Sequence, residues 1–467
     1  MIDLTKLGDS PVAMLGVGAS GRGTISALRS AGITVYAWDD NEAGRMAAEG
    51  LGAIVHELND EILQQCRFLV MSPGIPTRYP APHPVVARAQ KLQLKIVCDI
   101  DLLWRVAPDA TYVAITGTNG KSTTTALVAH ILQQCGRNVA VGGNLGPAAL
   151  GLPMMNSKDD IYVLELSSYQ LELCPVARFD HAIFLNLTPD HLDRYSGMTE
   201  YGEAKMNILR PRIENRAQTA ILSLDTPATS RIFNEQSGIT PRHFIPISGQ
   251  ERCLSGISVT GKILHDDINN QRFDITAARA LPGPHNGQNA AAAYAVCLQL
   301  GLKPAEIVFN IINFPGLAHR QQYITTINGV DIVNDSKATN TDAATKALAC
   351  YDNIYWIAGG QNKDLNMEDI LPFRNRIQGA YLIGQEMEKM AEWCRAHSIA
   401  HQKSETLERA LRDALHEAAQ DRRRPATILL APACKSFDQF KNFEDRGEQF
   451  AAMALSLAAD VRESGTC

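Results

Sequence analysis

A β-rich run, a glycine-rich turn and a helical pattern follow one another twice near the start of this chain. Val12 to Val17 leads through Gly16-Val-Gly18-Ala-Ser-Gly21 into a helical stretch ending at Ser30. Tyr112 to Thr116 leads through Gly117-Thr-Asn-Gly-Lys-Ser-Thr123 into a helix predicted over Lys121–Gln134. Further β-rich runs follow each helix, at Ile33–Trp38, Phe68–Met71 and Ile96-Val97 in the first case. In the second they lie at Ile161–Leu166, Ala182–Leu185 and Thr219–Leu224. Strand, helix, strand in that order requires a crossover and therefore a parallel sheet. Both glycine turns then lie at the edge of a sheet where a helix begins, the place where α/β proteins hold phosphates.

Between Cys253 and Ile275 the alternation shortens, and polar pairs such as Asp266-Asp267 and Asn269-Asn270 predict hairpins. An Ala-rich helix is predicted over Asn286–Leu300. The strand theme resumes at Asp331–Val333, Ile354–Ile357, Tyr381–Ile383 and Thr427–Leu430. The expectation is an α/β protein of three domains: a Rossmann-like N-terminal domain (1–99), a central P-loop ATPase-like domain (100–315) and a Rossmann-like C-terminal domain (316–467). The length of 467 residues agrees, at about 150 residues per domain.

Composition excludes several classes. Forty-four basic against 50 acidic residues gives a net charge of −6, which argues against a chain built mainly to grip nucleic acid. The longest apolar stretches, such as Ile428–Ala433, fall far short of the ~20 residues of a membrane span. The N-terminus lacks a basic start followed by an apolar run, so a cytoplasmic protein without a secretory signal is expected. The 10 cysteines form no C-x-x-C pair or Cys/His cluster and read as packed thiols.

The two glycine loops differ in what they say. Gly16–Gly21 fits any pyrophosphate-bearing nucleotide, NAD or a UDP-sugar alike, and also fits a tight turn with no ligand. Asp39 and Asp40 end the second strand, where an acid could meet a ribose or a base. The second loop carries Lys121 to neutralise β/γ-phosphates and Ser122 to ligate Mg²⁺. It is shorter than a full Walker pattern, which would need glycine where Ile115 stands. Glu165 ends a strand at the same sheet edge and is a candidate metal ligand. His191, in Asp190-His-Leu-Asp-Arg194, reads either as a cap or packed ring or as a ligand, and the ligand reading is favoured by its neighbours. Lys205 reads by itself as a surface lysine.

Several motifs, in order, resemble the Mur ligase family of ATP-dependent amide-forming enzymes. They are SPG at 72–74, GTNGKST at 117–123, GNLG at 143–146, ELSSYQLE at 165–172 and TPDHLDRY at 188–195. They continue with HNGQNAAAA at 285–293, GLAHR at 316–320, NDSKATN at 334–340 and PACKSFDQFKNFEDRG at 432–447. The first and the last two are similar to the branch that adds D-glutamate to UDP-MurNAc-L-Ala in peptidoglycan precursor synthesis. The L-alanine-adding branch typically has His where Asn119 stands, and the DNPR motif of the diaminopimelate- or lysine-adding branch is absent.

The resemblance implies an acyl phosphate made from ATP, then attack by the amine of D-glutamate through a tetrahedral intermediate. It implies ATP contacts at Gly117, Thr118, Asn119, Gly120, Lys121, Ser122, Thr123, Asn289, Arg320 and Asp335. The UDP substrate would be held by Gly18, Ala19, Ser20, Asp39, Gly74, Asn144 and His191, and D-glutamate by Lys337, Thr339, Lys363, Ser436 and Phe443. Two Mg²⁺ ions are implied at Ser122, Glu165, His191 and Lys205, the last carbamylated, with Lys121, Glu165, His191 and Lys205 as the catalytic group. It further implies a monomer with small-molecule partners only, whose third domain swings toward the second when ATP binds. The chain departs from the family where a GGDGK-like segment reads Gly359-Gly-Gln-Asn-Lys363, with Gln361 for an acid. It departs again at Lys435, where a small residue is common. A nicotinamide oxidoreductase would leave the second loop and the Glu165/His191 pair unexplained, and a non-catalytic nucleotide sensor would leave the metal, lysine and hydroxyl motifs idle. A folylpolyglutamate synthase would not need the first domain.

Overall fold

The computed structural model describes residues 2–211, 217–238, 242–362 and 365–464. It is an α/β protein with three sheets, and the chain divides into two compact units, Met1–Ile275 with Pro284–Ile311, and Thr276–Gly283 with Ile312–Cys467.

The first unit holds two sheets. In spatial order the smaller runs Ile54–Val55, Val35–Trp38, Val12–Leu15, Leu69–Met71, Ile96–Val97, all parallel. The larger runs Gln271–Asp274, Ile263–Asp266, Ile257–Thr260, Arg242–Ser248, Gln218–Ser223, His181–Phe184, Thr111–Thr116, Asp160–Glu165, Asn138–Gly143. Its last two pairings before the hairpin end are antiparallel and the rest parallel, as the shortened alternation past Cys253 predicts. The first strand stops at Leu15, two residues short of expectation, because Gly16 turns at φ +84° and its amide bonds the Trp38 carbonyl. A Cβ at Gly21 would lie 2.3 Å from the Gly16 carbonyl oxygen, so only glycine lets helix Ala19–Ser30 start so close to the strand.

A short helix, Asp99–Val106, ties the two sheets together. Ile100, Leu102, Leu103 and Val106 are wholly buried in one apolar core that runs through both. Its two acids are buried as well and bond main-chain amides of the larger sheet's loops: Asp99 accepts from Ala149, and Asp101 from Val176 and Ala177. The expected boundary near residue 100 therefore falls between two sheets of a single compact unit.

The second unit has the order Gln322–Ile327, Val330–Asn334, Ala426–Leu430, Ile354–Gly359, Ile377–Ile383, His401–Glu405, parallel except at the first pair. Along the Ile354–Gly359 strand, Ile354, Trp356 and Ala358 enter one core while Tyr355 and Ile357 enter another. That period of two places the sheet between two helical layers. Residues 276–283, expected in the central block, group with this unit. None of the described helices is long and apolar enough to cross a membrane. The described cysteines are free thiols, with Cys98 and Cys174 in contact at 3.6 Å.

His181 opens a strand at the centre of the larger sheet, with Nδ1 buried and unpartnered. Desolvation pushes its pKa down to about 4. The unfolded chain, titrating near 6.5, binds this proton first, so stability is full above 6.5 and lost as pH falls toward 4. Urea midpoints measured at pH 7 and pH 5 should fall for the parent and fall less for His181→Gln.

Candidate active site

The loop after Thr111–Thr116 is built by its glycines. Gly117 and Gly120 take φ values of +154° and +83°, and a Cβ at Gly120 would lie 2.5 Å from Asn289 Oδ1. Asn289 is buried, accepts from the Thr124 hydroxyl at 3.1 Å and donates to Asn286 Oδ1 at 2.9 Å. It therefore supports the loop from the Pro284–Gln299 helix. Across the loop, Asn119 N–H donates to Asn186 Oδ1 (2.8 Å), and Asn186 Nδ2 donates to the Asn119 carbonyl and to Gln288 Oε1. Thr118 Oγ1 accepts from the Thr188 amide, donates to the Thr188 carbonyl and meets the Tyr201 hydroxyl at 3.3 Å. Ser122 and Thr123 sit half-buried in the first turn of helix Lys121–Gln134. The N-terminal end of that helix, with its dipole, is the kind of place that attracts an anion.

Two lysines share one oxygen here. Lys121 Nζ donates to the Gly117 carbonyl at 3.0 Å and to that of Thr118 at 2.8 Å. Lys205 Nζ donates to the same Gly117 oxygen at 2.9 Å. Lys205 is only 2 % exposed, on helix Met198–Met206, with Nζ over the Tyr201 ring. It is not the surface lysine its own sequence suggests. Burial, then the Lys121 charge, push its pKa down to about 7, against weaker support from Asp190 and Glu165.

Glu165 ends its strand 2 % exposed. Asn144 holds it twice, N–H to its carbonyl (2.8 Å) and Nδ2 to Oε1 (2.6 Å). Gly143, at φ +97°, is the close approach that allows this, since a Cβ would lie 2.4 Å from the Glu165 carbonyl oxygen. Oε2 is buried with no hydrogen-bond partner. Among the described residues no three His, Cys, Asp or Glu side chains cluster as a metal site. The residues present nonetheless fit a cation, because an unpaired buried carboxylate oxygen calls for one. His191 is exposed at φ +54°, its ring 5.1 Å from Tyr169 and 6.1 Å from Tyr201. Tyr201 thus borders both His191 and Lys205.

In the smaller sheet, Gly18 caps helix Ala19–Ser30, and Ala19 and Ser20 form its first turn. Space is open beside Gly18 and Gly74. Ser72 Oγ donates to the Gly16 carbonyl, joining the two loops. Asp39 shapes the loop itself, accepting from the Val17 amide (2.7 Å) and the Asn41 amide (2.8 Å).

In the second unit, three motifs meet at the ends of neighbouring strands Val330–Asn334 and Ala426–Leu430. Asp335 accepts from the Gln321 amide, next to Arg320, and burial pushes its pKa up to about 7. Lys337 Nζ lies over the Phe443 ring, and its amide donates to the His319 carbonyl. The Thr339 amide bonds the Lys337 carbonyl, and Ser436 is 2 % exposed. Lys363 lies outside the described residues. Gln361 and Lys435, the two departures, exchange both backbone hydrogen bonds with each other (2.8 and 3.0 Å).

Three residues escaped the sequence reading. Asn186 lies one residue beyond a predicted strand end, and Tyr201 precedes Lys205 by one helical turn; both signals were present. Arg446 is buried and binds Ser336 and the Cys434 carbonyl, clamping two motifs together. It lies inside the 432–447 motif, which by itself assigns it no role.

Asp335 keeps its proton in the fold well above the usual 3.8, so ionising it costs stability as pH rises from about 4 to 7. Asp335→Asn should therefore raise stability at pH 8 by up to about 4 kcal/mol in urea titrations, with no gain at pH 4. Gly120→Ala should displace Asn289 and strain the loop, lowering stability by about 1–3 kcal/mol in urea titrations.

The Mur ligase middle domain model matches residues 115–297, and the Mur ligase, glutamate ligase domain model matches 319–434. The chain is 42% identical to the UDP-N-acetylmuramoylalanine–D-glutamate ligase of Paramagnetospirillum magneticum, over 98% of this chain and 99% of that one. It is 41% identical to the ligase of that name from Rhodospirillum rubrum, over 98% and 97%. Among solved structures it resembles the UDP-N-acetylmuramate-alanine ligase of Thermotoga maritima (TM-score 0.54, 16% identity, covering 96% and 99%). It also resembles a UDP-N-acetylmuramoyl-L-alanyl-D-glutamate–2,6-diaminopimelate ligase (0.55, 15%, covering 95% and 90%). At such identities these two establish the fold alone. With family models over most of its length and relatives above 40% identity across nearly all of it, this chain belongs to the Mur ligase family.

Proposed function

We propose that this protein is the ligase that adds D-glutamate to UDP-N-acetylmuramoyl-L-alanine, driven by cleavage of ATP to ADP and phosphate. The observation that carries the reading to the residues is the paired Lys121 and Lys205 under the Gly117–Thr123 loop, beside the unpaired Glu165 oxygen. A carboxylate is a poor electrophile. Its oxygen attacks the γ-phosphorus, ADP leaves, and the acyl phosphate now carries a good leaving group. The amine nitrogen then forms a bond to the carbonyl carbon, loses a proton, and the tetrahedral intermediate expels phosphate. Both steps gather negative charge, and fixed cations stabilise them most.

In this reading Lys121 and the amides of Gly117 to Thr123 hold the ATP phosphates and Asn289 supports them, while Arg320 and Asp335 are the second unit's own ATP contacts. Gly18, Ala19, Ser20, Asp39, Gly74, Asn144 and His191 hold the UDP substrate. Lys337, Thr339, Lys363, Ser436 and Phe443 receive D-glutamate. Residues 1–99, 100–315 and 316–467 are the corresponding domains, with 276–283 and 312–315 grouped with the last. Ser122, Glu165, His191 and Lys205 would hold Mg²⁺, which supplies charge neutralisation at the phosphates. A pKa near 7 keeps much of Lys205 as the free amine at neutral pH. That amine can attack CO₂, forming an N–C bond and releasing a proton, which turns a repelling ammonium into an anionic oxygen donor. The work is done in the cytoplasm by a monomer.

Phosphate release with ATP, Mg²⁺ and UDP-MurNAc-L-Ala should depend on D-glutamate and not on L-glutamate, L-alanine or diaminopimelate. Release driven by one of the others would move the substrate assignment and place the weight on Gln361 and Lys435. Lys205→Ala should lose nearly all turnover and regain part of it with added short-chain carboxylates; a fully active variant would remove the carbamate.

A further inference from the structure

Arg194 lies half-buried three residues past His191, and no role above uses it. Its guanidinium donates Nη2–H to the Ile75 carbonyl at 2.9 Å and Nη1–H to the Tyr79 carbonyl at 3.3 Å, both more than a hundred residues away in sequence. The same group lies over the Tyr169 ring at 4.9 Å. Each contact reaches a different part of the site. Ile75 follows Gly74, and its side chain occupies the space against Gly16 that a Cβ there would need. Tyr169 is four residues beyond Glu165, on the short helix Ser168–Glu172, and its ring packs on His191 and Tyr195. Arg194 itself closes the turn that begins at His191, where its amide bonds the His191 carbonyl.

We propose that Arg194 is a positioning residue that fixes the Gly74 loop of the UDP substrate to the His191 turn and to the helix after Glu165. The proposal rests on the function assigned above. The fork is what the geometry uses. Two carbonyls 4 residues apart accept from two nitrogens of one planar group whose face covers an aromatic ring, an arrangement a lysine cannot reproduce. Holding three segments in register sets the distance between the bound carboxylate and the phosphate loop, where small misplacements cost large factors in rate.

The test uses the full chain with Arg194→Lys and Arg194→Met, measuring kcat and KM for each substrate, calorimetric binding of UDP-MurNAc-L-Ala, and thermal unfolding. Both variants are expected to lose about tenfold or more in kcat/KM for the UDP substrate. KM for ATP should stay within about twofold, with unfolding little changed. Tyr169→Leu, which keeps both carbonyl bonds and removes the ring, should lose less in the same direction; it decides the matter should both Arg194 variants fail to fold. Constants within about twofold of the parent in all folded variants would overturn the proposal. So would full recovery in Arg194→Lys, which would mean a charge contact and not a forked clamp. Parental activity is measured first, so a silent parent fails the functional reading, while weakened UDP-substrate binding in the variants still reports on Arg194.

Discussion

One carbonyl oxygen, that of Gly117, organises the candidate site. Two lysine nitrogens donate to it, which puts them no more than about 6 Å apart in a place from which water is largely excluded. Burial is the larger cost to a charge here, and a like charge that close adds to it. The lysine with less solvent yields, and Lys205 falls to about 7 while Lys121 keeps its place at the loop. The backbone makes this possible. Gly117 can turn its carbonyl inward only because it lacks a Cβ, which would lie 3.1 Å from the Leu185 side chain and 3.2 Å from the Asn186 amide. Everything nearby follows from holding that loop: Asn186 and Thr188 on one side, Asn289 beneath, Glu165 on the adjacent strand.

The parts of this arrangement that depend on local pattern were legible in the residues. The sequence pattern gives the helix Lys121–Gln134 with its observed ends, and it places the strands that carry Glu165 and precede His191 within two residues. Strand interiors are buried on both faces in a parallel sheet, so they read as apolar runs. Some edge strands lack that signal. His401-Gln-Lys-Ser-Glu405 and Asn138-Val-Ala-Val-Gly-Gly143 lie at sheet edges, carry polar residues or glycine, and gave no strand signal. Lys205 is the clearest failure. Its burial is created by the distant Gly117 loop and Tyr201, and no pattern on its own helix announces it; only the family resemblance raised it.

The second unit teaches the same point differently. Gln361 and Lys435 look like losses against the family pattern, yet they meet through their backbones, so side-chain identity there leaves the pairing intact. The side chain that ties this region together is Arg446, whose guanidinium binds Ser336 and the Cys434 carbonyl from the far helix Phe443–Ser464. A buried cation whose hydrogen bonds go to Ser336 and to the Cys434 carbonyl is set by tertiary structure.

The most direct measurement is the titration of Lys205 itself, by NMR of protein labelled with ¹³C at lysine Cε and kept free of CO₂. A midpoint near 7 is expected, moving upward in Lys121→Met as the neighbouring charge is removed. A midpoint near the ordinary 10.5, or one indifferent to Lys121, would contradict the account.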